Sequence, residues 1–151
     1  MIRKYKWLII LGIVAVAGGS YFYLHFYARG INALLAFSAS YEKFDKAISK
    51  FALNRTDDLG RQAGEALSDL QARSTFRLSS LIRNDGELMD QARVVAGLAR
   101  SEYESLLVAS RALPSQAVGT DSLAKEFSVL TERRKAAFAR FKELGGINER
   151  I

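Results

Sequence analysis

Apolar residues are unevenly placed along this chain: one continuous run comes first, and periodic stripes follow it. Residues 7–28 contain no Asp, Glu, Lys or Arg. At 1.5 Å per residue, a helix of that length covers about 33 Å, close to the roughly 30 Å hydrocarbon core of a bilayer. The run is therefore expected to be a transmembrane helix. Aromatic residues flank it as interfacial belts do, with Tyr5 and Trp7 before it and Tyr21, Phe22, Tyr23, Phe26 and Tyr27 at its end.

Orientation follows from the basic residues, which cytoplasmic flanks retain. Arg3, Lys4 and Lys6 crowd residues 1–6, whereas the other flank offers Arg29 and then no charge until Glu42. The expected topology is a single pass through the inner (cytoplasmic) membrane, with a cytoplasmic basic N-terminus and a periplasmic or otherwise extracytoplasmic remainder. A cleaved signal peptide is the rival reading, because Ala15-Val16-Ala17 has the small-x-small form of a cleavage site. The apolar run continues through residues 18–27, however, so cleavage would leave an aromatic, insoluble start. Retention as an anchor fits better. Gly12, Ala15 and Gly19 fall on one side of this helix and would let a second helix approach closely, although a lone anchor is the plainer reading. His25 reads as an interfacial side chain among aromatics.

Beyond the membrane the period changes to that of amphipathic helices. Leu34, Phe37, Tyr41, Phe44, Ile48 and Phe51 are spaced alternately 3 and 4 apart, which puts all six on one stripe. This aromatic stripe has to pack, either within its own chain or against a neighbouring subunit, and it is a candidate interaction surface. Only Gly30 offers a break between residues 28 and 53, so the membrane helix is expected to continue outward as one rod.

Asn54 to Asp58 interrupt the stripe, and Thr56 or Asp57 is a good N-cap. Leu59, Ala63, Ala66, Leu67, Leu70, Leu78, Leu81 and Ile82 predict a second helix over 57–83, broken at Asn84-Asp85-Gly86. A third stripe, Leu88, Ala92, Val95, Ala99, Leu106 and Leu113, runs to Pro114. Thr120 and Asp121 then open a fourth, with Leu123, Phe127, Leu130, Ala137, Phe138, Phe141 and Leu144, ended by Gly145-Gly146. The predicted fold class is all-α: a transmembrane helix (7–28) continuing into an extracytoplasmic antiparallel four-helix bundle (29–146), with a short tail (147–151). The loops suit antiparallel neighbours, so the C-terminus should return toward the bilayer.

The reactive repertoire is thin. With no Cys and one His in 151 residues, disulfides, thiol catalysis and multi-histidine metal sites within one chain are excluded. There is no phosphate-binding loop, dinucleotide fingerprint or nucleophile elbow. The pairs Glu102 with Glu104 and Asp57 with Asp58 do not converge on one helix face and read as solvated surface or cap residues. No cofactor, metal or enzymatic activity is expected. Asn54-Arg55-Thr56 fits the glycosylation acceptor pattern but reads first as a turn and cap.

Of the formal net charge of +6, Arg3, Lys4 and Lys6 carry half, and the mild excess that remains does not suggest nucleic acid. Arg133, Arg134, Lys135, Arg140 and Lys142 gather in the last helix, where a solvated basic face or contact with anionic lipid or an acidic partner is expected. The leading functional expectation is a membrane-anchored helical interaction protein, a structural, assembly or accessory subunit of a cell-envelope complex. Its partners would be membrane lipid and another envelope protein or further copies of itself. One alternative is a sensor of a small anionic ligand that acts through a signalling partner, with Arg73 and Arg77 one turn apart as a clamp. The other is an inhibitor or exclusion factor that blocks an envelope partner.

Overall fold

The computed structural model describes residues 2–24, 28–75, 85–111 and 120–147, with side chains described for 11–24, 28–75, 86–111 and 124–147. The described residues form five helices: α1 (Ile2–Phe22), α2 (Ala28–Leu53), α3 (Asp57–Arg73), α4 (Asp85–Arg111) and α5 (Thr120–Gly145).

Helices α2 to α5 build an antiparallel bundle, and the cross-contacts give the directions. Going up α2 and down α5, Phe37 meets Phe141 at 4.7 Å between ring centroids, Tyr41 stacks on Phe138 at 3.5 Å, and Asp45 reaches Arg134 at 2.7 Å. Between α4 and α5, Gln91 Nε2 donates to the Ala137 carbonyl at 2.9 Å, and Thr131 donates to Glu102 at 2.6 Å. Between α2 and α3, the Ser40 hydroxyl donates to Asp69 at 2.6 Å, while Gly60 lies against the Phe51 ring. Helix α2 lies closest to α3, and α4 to α5. These two hairpins meet across the large rings of α2 and α5.

The whole stripe of α2, Leu34, Phe37, Tyr41, Phe44, Ile48 and Phe51, is buried in the core of its own chain. Each large side chain withdrawn in this way contributes about 1.5–3 kcal/mol. The stripe is thus an internal seam, and its expected role as a surface for partners is corrected: the faces of α3, α4 and α5 already fill it.

Helix boundaries follow the sequence signals with two corrections. Thr56 caps α3, its Oγ1 accepting from the Leu59 N–H, and Asp57 and Asp58 occupy the first turn. Helix α3 ends at Arg73, short of the expected residue 83. Ser74 Oγ donates to the Gln71 carbonyl at 2.7 Å and Thr75 Oγ1 to the Ala72 carbonyl at 3.0 Å, so hydroxyls take over the last turn. Leu78, Leu81 and Ile82 lie outside the described residues. Asp85 and Gly86 open α4 rather than forming a separating turn. Leu113 and Pro114 lie outside the described residues, and α4 is helical to Arg111. At the end of α5, Gly146 takes φ +59°, the left-handed conformation that glycine adopts without steric cost, and its N–H donates to the Glu143 carbonyl. Ile147 then folds back beside Gly145 and Leu34, so the end of α5 lies at the start of α2.

Helix α1 is different. All of its described side chains are exposed, with the large apolar ones from Leu11 to Phe22 at 52–70% of full exposure. Among the described residues no helix is long and apolar enough to cross a membrane. Side chains are described for residues 11–24 of the apolar run, a part about 21 Å long. The expected continuity of this helix with α2 falls on 25–27, outside the described residues.

Candidate functional site

The most unusual constellation in the bundle is a charged centre in its core, at the level where α2, α4 and α5 meet. Arg134 is 1% exposed and Glu102 is fully buried. Arg134 Nε donates to Glu102 Oε2, and its Nη2 donates to Asp45 Oδ1 at 2.7 Å. Thr131, one turn before Arg134 on α5, donates to the other oxygen of Glu102 at 2.6 Å. Asp45 keeps a 36% exposed side chain and so holds the outer edge of the cluster near water. The guanidinium carbon sits 5.0 Å from the Tyr41 ring centroid and 5.3 Å from that of Phe44, within cation–π distance of both. Arg134 Nη1 is buried and, among the described residues, has no hydrogen-bond acceptor.

Electrostatics follow from this geometry. Burial works against the Arg134 charge, but Glu102 and the bond to Asp45 outweigh it and hold the guanidinium above its usual range. Burial pushes the Tyr41 phenol from 10.0 to about 12; Arg134 pulls it down, while Asp45 and Glu102 add to the rise. An always-charged guanidinium clamped by two carboxylates does not exchange protons at neutral pH. Its physical role here is to join three helices.

This centre redistributes the expected basic cluster of α5. Arg133 and Lys135 are exposed, and Arg134 between them points into the core, which corrects its expected surface role. Arg140 lies 3.4 Å from Glu87 of α4 and 3.4 Å from Glu143, and Lys142 Nζ sits 5.5 Å above the Phe138 ring. The five residues do not form one patch. Glu102 is likewise corrected from a solvated residue to a core one, whereas Glu104 is exposed and pairs with Arg100 at 2.7 Å. Arg73 pairs with Asp69 at 3.0 Å, and Arg77 lies outside the described residues. The Ser40 hydroxyl and Arg73 together hold the Asp69 carboxyl below its usual range, against the effect of burial.

Of the expected anchor residues, Gly12, Ala15, Gly19 and Tyr21 are exposed on α1, and a Cβ added at Gly12 or Gly19 would touch nothing within 4 Å. The side chain of Trp7, and His25 and Tyr27, lie outside the described residues.

A second feature lies where α2 turns into α3 and α4 ends. An open cleft of about 300 Å³ has Phe51, Tyr103 and Leu107 on its floor and Arg55, Arg61 and Arg111 around it. Gly60 lines it, and Gly64, one turn further along α3, makes room for the Tyr103 hydroxyl. A Cβ at Gly64 would fall 2.8 Å from the Tyr103 hydroxyl, and one at Gly60 would fall 3.2 Å from the Phe51 ring. Tyr103 is thereby admitted close to α3 and donates to the Gly60 carbonyl at 3.1 Å.

Together these features define an antiparallel four-helix bundle that follows an apolar, exposed helix and carries a charged centre. No protein-family model, curated protein or solved structure matches the chain.

Proposed function

We propose that this protein is a single-pass, N-in membrane-anchored bundle that works by binding, as a structural, assembly or accessory subunit of a cell-envelope complex. The observation that carries the reading is α1: Leu11, Ile13, Val14 and Val16 lie in an apolar run and are 64–70% exposed among the described residues. A lipid environment supplies cover for them. The 22-residue stretch without Asp, Glu, Lys or Arg at 7–28, behind Arg3, Lys4 and Lys6, supports the same assignment and orientation.

Anchoring at α1 makes the Leu34 and Ile147 end of the bundle proximal to the membrane and the α2–α3 turn distal. Residue pairing across α2 and α5 sets the levels in an upright bundle. Lys142 stands about 12 Å and Arg133 about 27 Å beyond the start of α2. With a screening length of about 8 Å in physiological salt, Lys142, the nearest of the five and able to extend its side chain toward the surface, is the one proposed to sense anionic headgroups, whereas Arg140 is further out and held by Glu87 and Glu143. Arg133 and Lys135 face outward at mid-height and belong to the proposed protein-binding surface.

Asn54-Arg55-Thr56 provides the test, because it stands exposed in the distal turn. Translation of the full chain into glycosylating microsomes should give a product that resists alkaline extraction and carries one glycan, lost in Asn54→Gln. A soluble product, or an unglycosylated one whose bundle is digested by protease from the cytosolic side, overturns the anchored topology. For the binding half, native extraction should recover the chain in stoichiometric association with a partner or further copies. A clean monomer counts against it.

A further inference from the structure

We propose that the distal cleft between α3 and α4 binds a small multivalent oxyanion, of the phosphate or dicarboxylate class. Its walls carry Arg55, Arg61 and Arg111 against one carboxylate, Asp57. The three arginines are not equivalent. Arg61 is satisfied by Asp58 at 2.7 Å and Glu65 at 3.5 Å. Among the described residues, Arg55 makes only a long bond to the Ala109 carbonyl, 3.4 Å, and no carboxylate pairs with Arg111.

Two arginines with no ion pair among the described residues, one from the α2–α3 turn and one from the last turn of α4, thus line the same cleft. Elsewhere on this bundle Arg73, Arg93, Arg100 and Arg140 are paired, while Arg29 and Arg133, like Arg55 and Arg111, have no ion pair among the described residues; what sets the latter two apart is the shared cleft. Planar guanidinium forks suit oxyanions that offer two oxygens at once, and two forks favour a ligand with more than one negative charge. The α3 N-terminus is not the donor set, since Thr56 caps it and Asp57 and Asp58 occupy its first turn.

The size agrees with a small ligand: about 300 Å³ is at the lower end of ordinary ligand clefts. Gly60 lets the Phe51 ring close against α3, so this part of the lining is apolar and the polar groups lie at the cleft's edge. Ser110 also lines the cleft, and its hydroxyl can turn from the Leu107 carbonyl to a ligand oxygen. The proposal does not depend on the membrane reading.

Thermal unfolding and calorimetric titration of the full chain in non-ionic detergent test it, with inorganic phosphate and succinate as probes and sodium chloride at matched ionic strength as control. A saturable rise in Tm with either probe, weakened by added salt, is expected; which probe binds tighter tells phosphoryl from carboxylate chemistry. Arg55→Ala and Arg111→Ala should each lower affinity at least tenfold, Arg55→Lys should lie between, and Arg100→Ala, on the outer side of α4, should leave it unchanged. A shift no larger than that of chloride, or one retained in the Arg55→Ala/Arg111→Ala double variant, overturns the proposal. So does an equal loss in Arg100→Ala, which would mean general charge rather than a site.

Discussion

Helix α1 and the α2–α5 bundle invert each other's chemistry. In α1 the described apolar side chains stand in the open, and in the bundle a guanidinium and a carboxylate stand in the core. Each inversion is costly in water, and each is tolerable only if something specific surrounds it. For α1 the proposed surrounding is lipid. For Arg134 it lies inside, in Glu102, Asp45 and the rings of Tyr41 and Phe44. Burial by residue type thus fails in α1 and in the bundle core, for opposite reasons.

The largest effect should come from breaking the charged centre on one side only. Arg134→Met leaves Glu102 charged and unpaired in the core, and urea unfolding should show a loss of about 3–5 kcal/mol. Adding Glu102→Leu should restore most of that loss, because the uncompensated charge, not the absence of the ion pair, is what destabilises. If the double variant is as unstable as the single one, the bond to Asp45 and the packing on Tyr41 and Phe44, rather than the charge left on Glu102, carry the stability.

The matching experiment on α1 places a charge at an exposed apolar position. Val14→Arg should cost about 2.5–3.5 kcal/mol of membrane insertion and leave the thermal unfolding of the bundle unchanged. Loss of bundle stability in that variant would mean that α1 packs on the bundle after all.

Tyr41 gives a smaller effect that depends on pH. Its folded pKa of about 12 lies above the free value of 10.0, so the fold favours the neutral phenol. That contribution is complete below pH 10 and is lost as pH rises from 10 to about 12, by about 1.4 kcal/mol per unit. The difference in stability between wild type and Tyr41→Phe, followed by urea unfolding across that range, should show this slope. Parallel curves would contradict it.

Smallest is the rim bond from Ser40 to Asp69. Ser40→Ala should cost about 1 kcal/mol at neutral pH. Asp69 is depressed chiefly by this hydroxyl, so its stabilising share is present above the free carboxyl pKa and disappears as pH falls through the lower folded value. Acid unfolding monitored by circular dichroism should show a reduced acid-dependent loss in the variant.

Much of this was legible along the chain. The 3,4 spacing of α2, the Thr56 cap and the Gly145-Gly146 stop correspond to observed helices and ends. Even the charged centre leaves a trace. Glu102 fills the gap between Ala99 and Leu106 in the α4 stripe, and Arg134 stands between Leu130 and Ala137 or Phe138 in the α5 stripe, each at a position the period assigns to the core. Residue type argued for solvent and overrode the period, which was the better guide. The end of α3 was missed because Ser74 and Thr75 act on carbonyls that a hydropathy pattern does not see.

By itself the sequence determined the local part: the helical stripes, the Thr56 cap and the glycine stop, and that residues 7–28 carry no Asp, Glu, Lys or Arg. These depend on periodicity and on neighbours within one turn. Tertiary structure decided that the aromatic stripe of α2 closes on its own chain, and that Arg134 meets Asp45 and Glu102, which lie 89 and 32 residues away in the chain. Only the way helices pack brings such groups within bonding distance, and a buried charge is stable only with its partners present.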